Sequence, residues 1–221
     1  MGRFAGHADD VIVTAAVQST QFPARPWQFM VNQYADRRPV YTIDALDRIV
    51  FVNAAWSAFF APQGVAGPEL AEVMGRPIWE RIPAGVPRQL WELLYSRVRA
   101  VGGAVFVPMR VDRADERRLV DIELRPLGDG SIRHVCEPVW REARPAVALL
   151  DPAYPRDERT LRSCQWCRRI QVRLGAWEEI EEAQQSLAIM ADHTLPQLEP
   201  AVCSTCKQSL LKTFPTMRMS G

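Results

Sequence analysis

The sequence predicts an α+β protein: a mid-chain block of short strands and helices, followed by a small module carrying four cysteines. Three observations carry this expectation. Residues 41–60, YTIDALDRIVFVNAAWSAFF, run as strand, turn, strand and helix; residues 104–140 hold three further strand patterns; and four of the five cysteines fall into two Cys-x-x-Cys pairs. Each element can be justified from its residues.

The first strand rests on the alternation of Val40, Thr42 and Asp44 with Tyr41, Ile43 and Ala45, the two-residue period of a pleated chain. Leu46-Asp47-Arg48 breaks that period, and Asp47 tolerates a left-handed turn conformation. Residues 48–52 are β-branched and aromatic. Asn53 then offers a side-chain oxygen to the first free amides of a helix. Trp56, Phe59 and Phe60, three and four apart, share one face of it. Residues 69–82 read as helix in pieces, interrupted by Gly75-Arg76-Pro77. The clearest helix is 87–101, where Leu90, Leu93, Leu94, Val98 and Val101 line one face beside Trp91, and Gly102-Gly103 ends it.

Three strands follow. Residues 104–112 place Val105, Val107, Met109 and Val111 on one face, and residues 117–126 place Val120, Ile122 and Leu124 opposite Asp121, Glu123 and Arg125. Residues 113–116 form a charged tip between them, and Asp129-Gly130 is a hairpin signal leading to a strand over 132–140. Ahead of the block, Trp27, Met30, Val31 and Tyr34 have helical spacing, with Pro26 suited to a first helical position. Residues 1–22 fit helix and strand equally well.

The succession of Asp, turn, Ile49-Val50-Phe51-Val52-Asn53 and an aromatic helix resembles the opening of a PAS sensory domain, with Asp47 where that family usually has Gly. Residues 73–79 (Val-Met-Gly-Arg-Pro-Ile-Trp) resemble its apolar-Leu-Gly-Arg connector. The resemblance spans roughly 39–141. It implies a five-stranded antiparallel sheet with helices against one face, and a sensory, partner-binding role. It divides the chain into an N-terminal helical segment (1–37), the PAS-like domain (38–141), a proline-marked linker (142–160), the cysteine module (161–214) and a tail (215–221).

In the module, Cys164-Gln165-Trp166-Cys167 and Cys203-Ser204-Thr205-Cys206 are separated by 35 residues. Each pair can turn two thiolates toward one point, and two pairs supply the four sulfurs of a closed zinc site. Between them, Trp177, Ile180, Ala183, Leu187 and Met190 follow helical periodicity with Glu178, Glu179, Glu181 and Glu182 on a solvated side, predicting one helix of about 14 residues at roughly 1.5 Å each. Leu210, Leu211 and Phe214 are expected to add apolar contacts. Residues 161–211 resemble a C-terminal module of bacterial signalling proteins, through Cys164, Cys167, Ile170, Trp177, Glu178, Glu179, Cys203 and Cys206. Pro200-Ala201 stands where that pattern has His-Gly. A structural Zn²⁺ competes here with a redox dithiol switch and an iron–sulfur cluster. His193 is expected as a surface residue and Cys136 as an inert core or sheet-face cysteine.

Composition narrows the function. Twenty-seven basic against 26 acidic residues give a net charge of +1, so no bulk field draws the chain to nucleic acid or acidic membranes. Arginines 156, 159, 162, 168, 169 and 173 make the first cysteine pair locally basic, but the neighbouring glutamates oppose that field. No apolar run approaches the roughly 20 residues of a membrane span, and the first ten residues lack a secretory pattern, so a cytoplasmic location is expected. No nucleophile elbow, phosphate-binding glycine loop or His-Glu-x-x-His is present. The expectation is therefore a non-enzymatic sensor or adaptor that homodimerises and docks a protein partner. Neither haem nor flavin is expected, because the long helix has no His and residues 1–135 have no Cys. A small-molecule pocket, if formed, would use Phe51, Trp56, Phe59, Trp79, Trp91, Val107, Val120 and His134.

Overall fold

The computed structural model describes residues 37–60, 70–189 and 193–213. The N-terminal helix expected at 26–34, the open segment 1–22, and Met190 and Phe214 of the module lie outside them.

Five strands, β1 (Val40–Ile43), β2 (Ile49–Val52), β3 (Val105–Arg110), β4 (Glu116–Pro126) and β5 (Ile132–Ala143), form one sheet in the order β2-β1-β5-β4-β3. Every neighbouring pair is antiparallel. Helices α1 (Ala54–Phe60), α2 (Leu70–Val73) and α3 (Val86–Val101) lie between β2 and β3 in the chain. This is the PAS-like five-stranded arrangement that the resemblance implies.

Local chemistry sets the corners. Asp47 has φ 59°, the left-handed conformation its short polar side chain tolerates. Its carboxylate accepts from Arg99 Nη2 at 2.6 Å, tying the turn to α3. Asp44 Oδ1 accepts from the amides of Leu46 and Arg48 at 2.9 and 2.8 Å. Asn53, nearly fully buried, does more than cap α1: its Oδ1 accepts from Trp56 N (3.0 Å) and Val40 N (2.9 Å), and its Nδ2 donates to the Arg38 carbonyl (2.8 Å). The connector 74–78 runs along the free edge of β2, with Ile49 N–H donating to Arg76 O and Gly75 N–H to Ile49 O. It thereby covers an edge that would otherwise be left open. α3 ends where expected, with Gly102 at φ 74° in the left-handed cap and its N–H on Val98 O.

Burial departs from the expected patterns along β1 and α3. All four residues of β1, the strand between β2 and β5, are buried rather than alternate ones, so this strand is covered on both faces. On α3 the expected end of the apolar face, Val101, is exposed, whereas Trp91 is buried together with Tyr95. β4 alternates as predicted, with Val120, Ile122 and Leu124 inside, whereas β5 buries His134, Val135 and Cys136 in succession.

The stretch 142–160 is not an extended linker. β5 continues to Ala143, a single 3-10 turn spans Ala148–Leu150, and β6 (Arg156–Cys164) begins within it. The prolines punctuate this path, but Val147 and Leu149 are buried in a second apolar cluster with Ile170, Ile180 and Leu195. The module is also built differently from the single long helix expected. β6, β7 (Ile170–Arg173), β8 (Ala176–Glu178) and β9 (Leu195–Ala201) form a four-stranded sheet in the order β8-β7-β6-β9. Two helices accompany it: α4 (Ile180–Ser186), only seven residues long, and α5 (Ser204–Thr213). Trp177 lies in β8, and Leu187 caps α4 rather than continuing it. Of the residues at helical spacing, Ile180 and Ala183 lie in α4 and Leu187 ends it, whereas Trp177 belongs to the β7–β8 hairpin, which turns at Gly175 with φ 79°.

Replacing Asn53 with Ala removes a cap and strands the buried Val40 amide. The expected loss is roughly 2–4 kcal/mol, the sum of a lost cap and a buried unsatisfied donor. Urea unfolding of the two proteins measures it; a loss under about 0.5 kcal/mol contradicts this role.

Candidate metal centre and adjoining cavity

The pairing of β6 with β9 creates the cysteine cluster. The two strands run parallel, with Ser163 opposite Pro200 and Cys164 opposite Ala201, so both strands end side by side. β6 delivers the first Cys-x-x-Cys as a tight knuckle, in which Arg168 N–H donates to Cys164 O at 2.9 Å. Arg168 itself takes φ 64°. β9 delivers the second pair into the start of α5. Cys203 N–H points at Cys164 Sγ and Cys206 N–H at Cys203 Sγ, each at 3.4 Å. The sulfurs of Cys164, Cys167, Cys203 and Cys206 all lie within 4.8 Å of one another, an arrangement able to hold one metal ion.

Crowding makes the thiols of Cys164, Cys167 and Cys206 share protons. Hydrogen bonds from Cys167 and Cys206 lower the pKa of Cys164, with the Cys203 amide adding to the effect. The same proton sharing raises Cys167 to about 12 and raises Cys206 as well. His193 is exposed and stands apart from the cluster, and Cys136 is fully buried, its thiol pushed up to about 12 by desolvation.

The cluster is not a detached appendage. Cys164, Trp166, Cys203 and Leu210 belong to the same apolar core as Trp91, Leu94 and Ile122 of the PAS-like fold. Trp166, between the first two cysteines, stacks on Trp91 of α3 with ring centroids 5.6 Å apart and planes at 26°. Its carbonyl accepts the Arg110 amide of β3 at 2.8 Å, so the knuckle also extends the outer strand of the sheet.

Charged side chains close the rest of the junction, and here the expected solvated acids are corrected. Asp112 has a fully buried carboxylate held by Arg110 (Nε to Oδ1, 2.9 Å) and lying 3.5 Å from Arg144. Glu179 bridges Arg110 (2.9 Å) and Arg169 (3.0 Å), and Glu181 bridges Arg117 and Arg144 (2.9 Å each). Spacing alone could not reveal the pairs of Glu179 and Glu181, because they join residues 10 to 69 positions apart. Of the local arginines, Arg156 donates to the carbonyls of Pro196, Leu149 and Asp151, and Arg159 pairs with Asp157.

Beside the knuckle is a cavity of about 310 Å³ between the sheet and α3. Trp56 and Trp91, two of the residues named for a pocket, line it together with Tyr41, Ile82, Met109 and Ile122. The other six residues expected there lie elsewhere. Val107 and Val120 are closed core, Phe59 is buried beneath the Arg118 guanidinium at 4.8 Å, Trp79 packs on Tyr95, and Phe51 is half-buried. His134 is wholly buried, stacked on Tyr41 at 4.0 Å, with Nδ1 3.2 Å from Ile132 O and Nε2 3.2 Å from Tyr95 Oη. The carbonyl can only accept, which places the proton on Nδ1 and makes the Tyr95 hydroxyl the donor to Nε2. Sequence reasoning missed two cavity residues that matter, Arg81 and Gln165. Gln165 was hidden because it arrives from the module.

Fold and site together define a PAS-like α+β domain joined through one core to a four-cysteine centre. No protein-family profile and no curated protein matches the chain. Among solved structures it is similar to the PAS domain of BvgS from Bordetella pertussis, 24% identical over 52% of this chain and 86% of that one, with a TM-score of 0.42. It is also similar to a domain of a sensory box sensor histidine kinase/response regulator from Geobacter sulfurreducens, 17% identical over 50% and 90%, TM-score 0.38. A third is the PAS domain of an HTR-like protein from Haloarcula marismortui, 16% identical over 51% and 96%, TM-score 0.31.

Burial lowers the His134 pKa from 6.5 to about 3, so the native ring stays neutral while the unfolded chain protonates it. The stability tied to that neutral ring is whole above about pH 6.5 and is lost as pH falls from there toward 3. His134→Phe, which can keep the stack on Tyr41, is expected to flatten the stability–pH slope between pH 6 and 4.5 by about one proton, near 1.4 kcal/mol per pH unit. Paired urea titrations measure the slopes, and equal slopes contradict a neutral buried ring.

Proposed function

We propose that the protein is a non-enzymatic signalling component: a PAS-type sensor or adaptor whose conformation is fixed by a structural Zn²⁺ at Cys164, Cys167, Cys203 and Cys206. The observation that carries this is the shared core. Four convergent sulfurs hold a knuckle whose Trp166 is packed into the sensory fold itself. Four thiolates and no open position suit a structural rather than a catalytic zinc. A change of packing in the PAS-like domain is thereby felt at the metal centre, and the reverse. Among the described residues no helix is long and apolar enough to cross a membrane.

Output through homodimerisation and partner docking belongs to the same proposal. The support for it is a surface groove in which the exposed Phe106 and Val139 lie beside Asp121, Glu123 and Glu137. A redox switch is the second reading, favoured by Cys167 Sγ and Cys203 Sγ at 3.8 Å with Cys167 partly exposed. Nucleic-acid binding has less support, because Arg110, Arg117, Arg144, Arg159 and Arg169 are engaged with carboxylates.

Metal analysis with light scattering tests the proposal. One zinc per chain is expected, retained with its thiols blocked after mild peroxide, in a particle of twice the chain mass that Val139→Glu shifts toward the single chain. Zinc release with disulfide formation would favour the redox switch, and a metal-free chain would contradict the zinc reading.

A further inference from the structure

The cavity beside α3 has walls from both halves of the chain. The sheet and the segment before α3 supply Met109, Ile122 and Ile82, and the knuckle between the first two cysteines supplies Gln165. Gln165 is held there by its own N–H on Ala201 O at 2.9 Å, while its neighbour Trp166 is clamped by the Trp91 stack and the Arg110 amide. The position of this wall is therefore set by the same two strand ends that bring the sulfurs together.

The cavity's chemistry is uneven. Its interior is apolar and aromatic, with Trp56 and Trp91 offering flat faces. Its polar groups are few. Arg81, exposed, lies with its guanidinium over the Trp56 ring, 5.5 Å from the centroid, and makes no ion pair among the described residues. The Gln165 carboxamide likewise makes no hydrogen bond among them. An apolar cavity of about 310 Å³ with one cation and one amide among its lining residues is matched by a planar one- or two-ring aromatic acid. The rings would lie among the tryptophans and the carboxylate would face Arg81 and Gln165.

We propose that this cavity binds small aromatic carboxylates, and that Gln165 makes ligand binding there and metal binding at the four cysteines mutually reinforcing. The proposal rests on the zinc reading above. Metal holds the knuckle, and the knuckle holds the wall. A ligand touching Gln165 favours the closed knuckle, and by linkage each partner raises the affinity of the other by the same factor.

The test uses the full chain and 2-naphthoate as probe. Calorimetric titration is expected to show the zinc-loaded protein binding 2-naphthoate at least tenfold more tightly than the chelator-stripped protein. In competition with a chromophoric chelator, saturating 2-naphthoate is expected to tighten zinc binding by the same factor. To keep the test independent of any unfolding of the stripped module, two variants are read with zinc in place. Gln165→Ala is expected to weaken 2-naphthoate about tenfold at unchanged zinc content. Arg81→Gln is expected to weaken 2-naphthoate but not the neutral 2-naphthamide. A zinc-loaded protein that fails to bind 2-naphthoate, or binds it equally with and without zinc or with Ala at position 165, overturns the proposal. A protein that binds no zinc overturns the metal reading as well, and metal content separates the two failures.

Discussion

The contact on which the rest of the molecule depends is the stack of Trp166 on Trp91. Without it the cysteine knuckle would be a loop at the end of a small sheet. With it, the knuckle becomes part of the apolar core that α3 builds with the five-stranded sheet. Burying two indoles against each other contributes on the order of 1 kcal/mol beyond the apolar area removed from water. That area itself is large for Trp, so the joint is strong compared with a rim of surface ion pairs.

The charged residues around the joint act mainly on geometry. The Asp112 carboxylate is fully buried and meets Arg110 and Arg144, while Glu179, the N-cap residue of α4, and Glu181, in its first turn, reach across to the sheet. Buried ion pairs recover their desolvation cost only when well satisfied, so their net contribution to stability is small. Removing one partner is far more costly than never having had the pair. The network thus penalises any rotation of the module against the sheet, and the aromatic stack supplies the attraction.

The sequence made the local features legible. Asn53 as a cap, Asp47 as the left-handed turn, Gly102 as the end of α3 and the alternation of β4 all follow from short-range sterics and hydrogen bonding. The two cysteine pairs were legible because thiolate ligation imposes its own spacing, and the four sulfurs do converge. What was hidden is long-range. The parallel pairing of β6 and β9, the course of 142–160 and the roles of Glu179 and Glu181 depend on partners 35 or more residues away in most cases. Acidic residues before a helix read the same whether water or a distant arginine receives them. Gln165 entered the cavity by the same route, and His134, expected at a pocket, was drawn between two tyrosines.

A single body shared by sheet, helix and cysteine knuckle makes one demand that a pair of linked domains does not. When the metal-loaded protein is unfolded in guanidinium, loss of tryptophan burial and appearance of free metal at an indicator dye should follow one coincident transition. Metal release that precedes the tryptophan transition by a clear interval, with the far-ultraviolet signal of the sheet intact, would show two independent units and contradict the account.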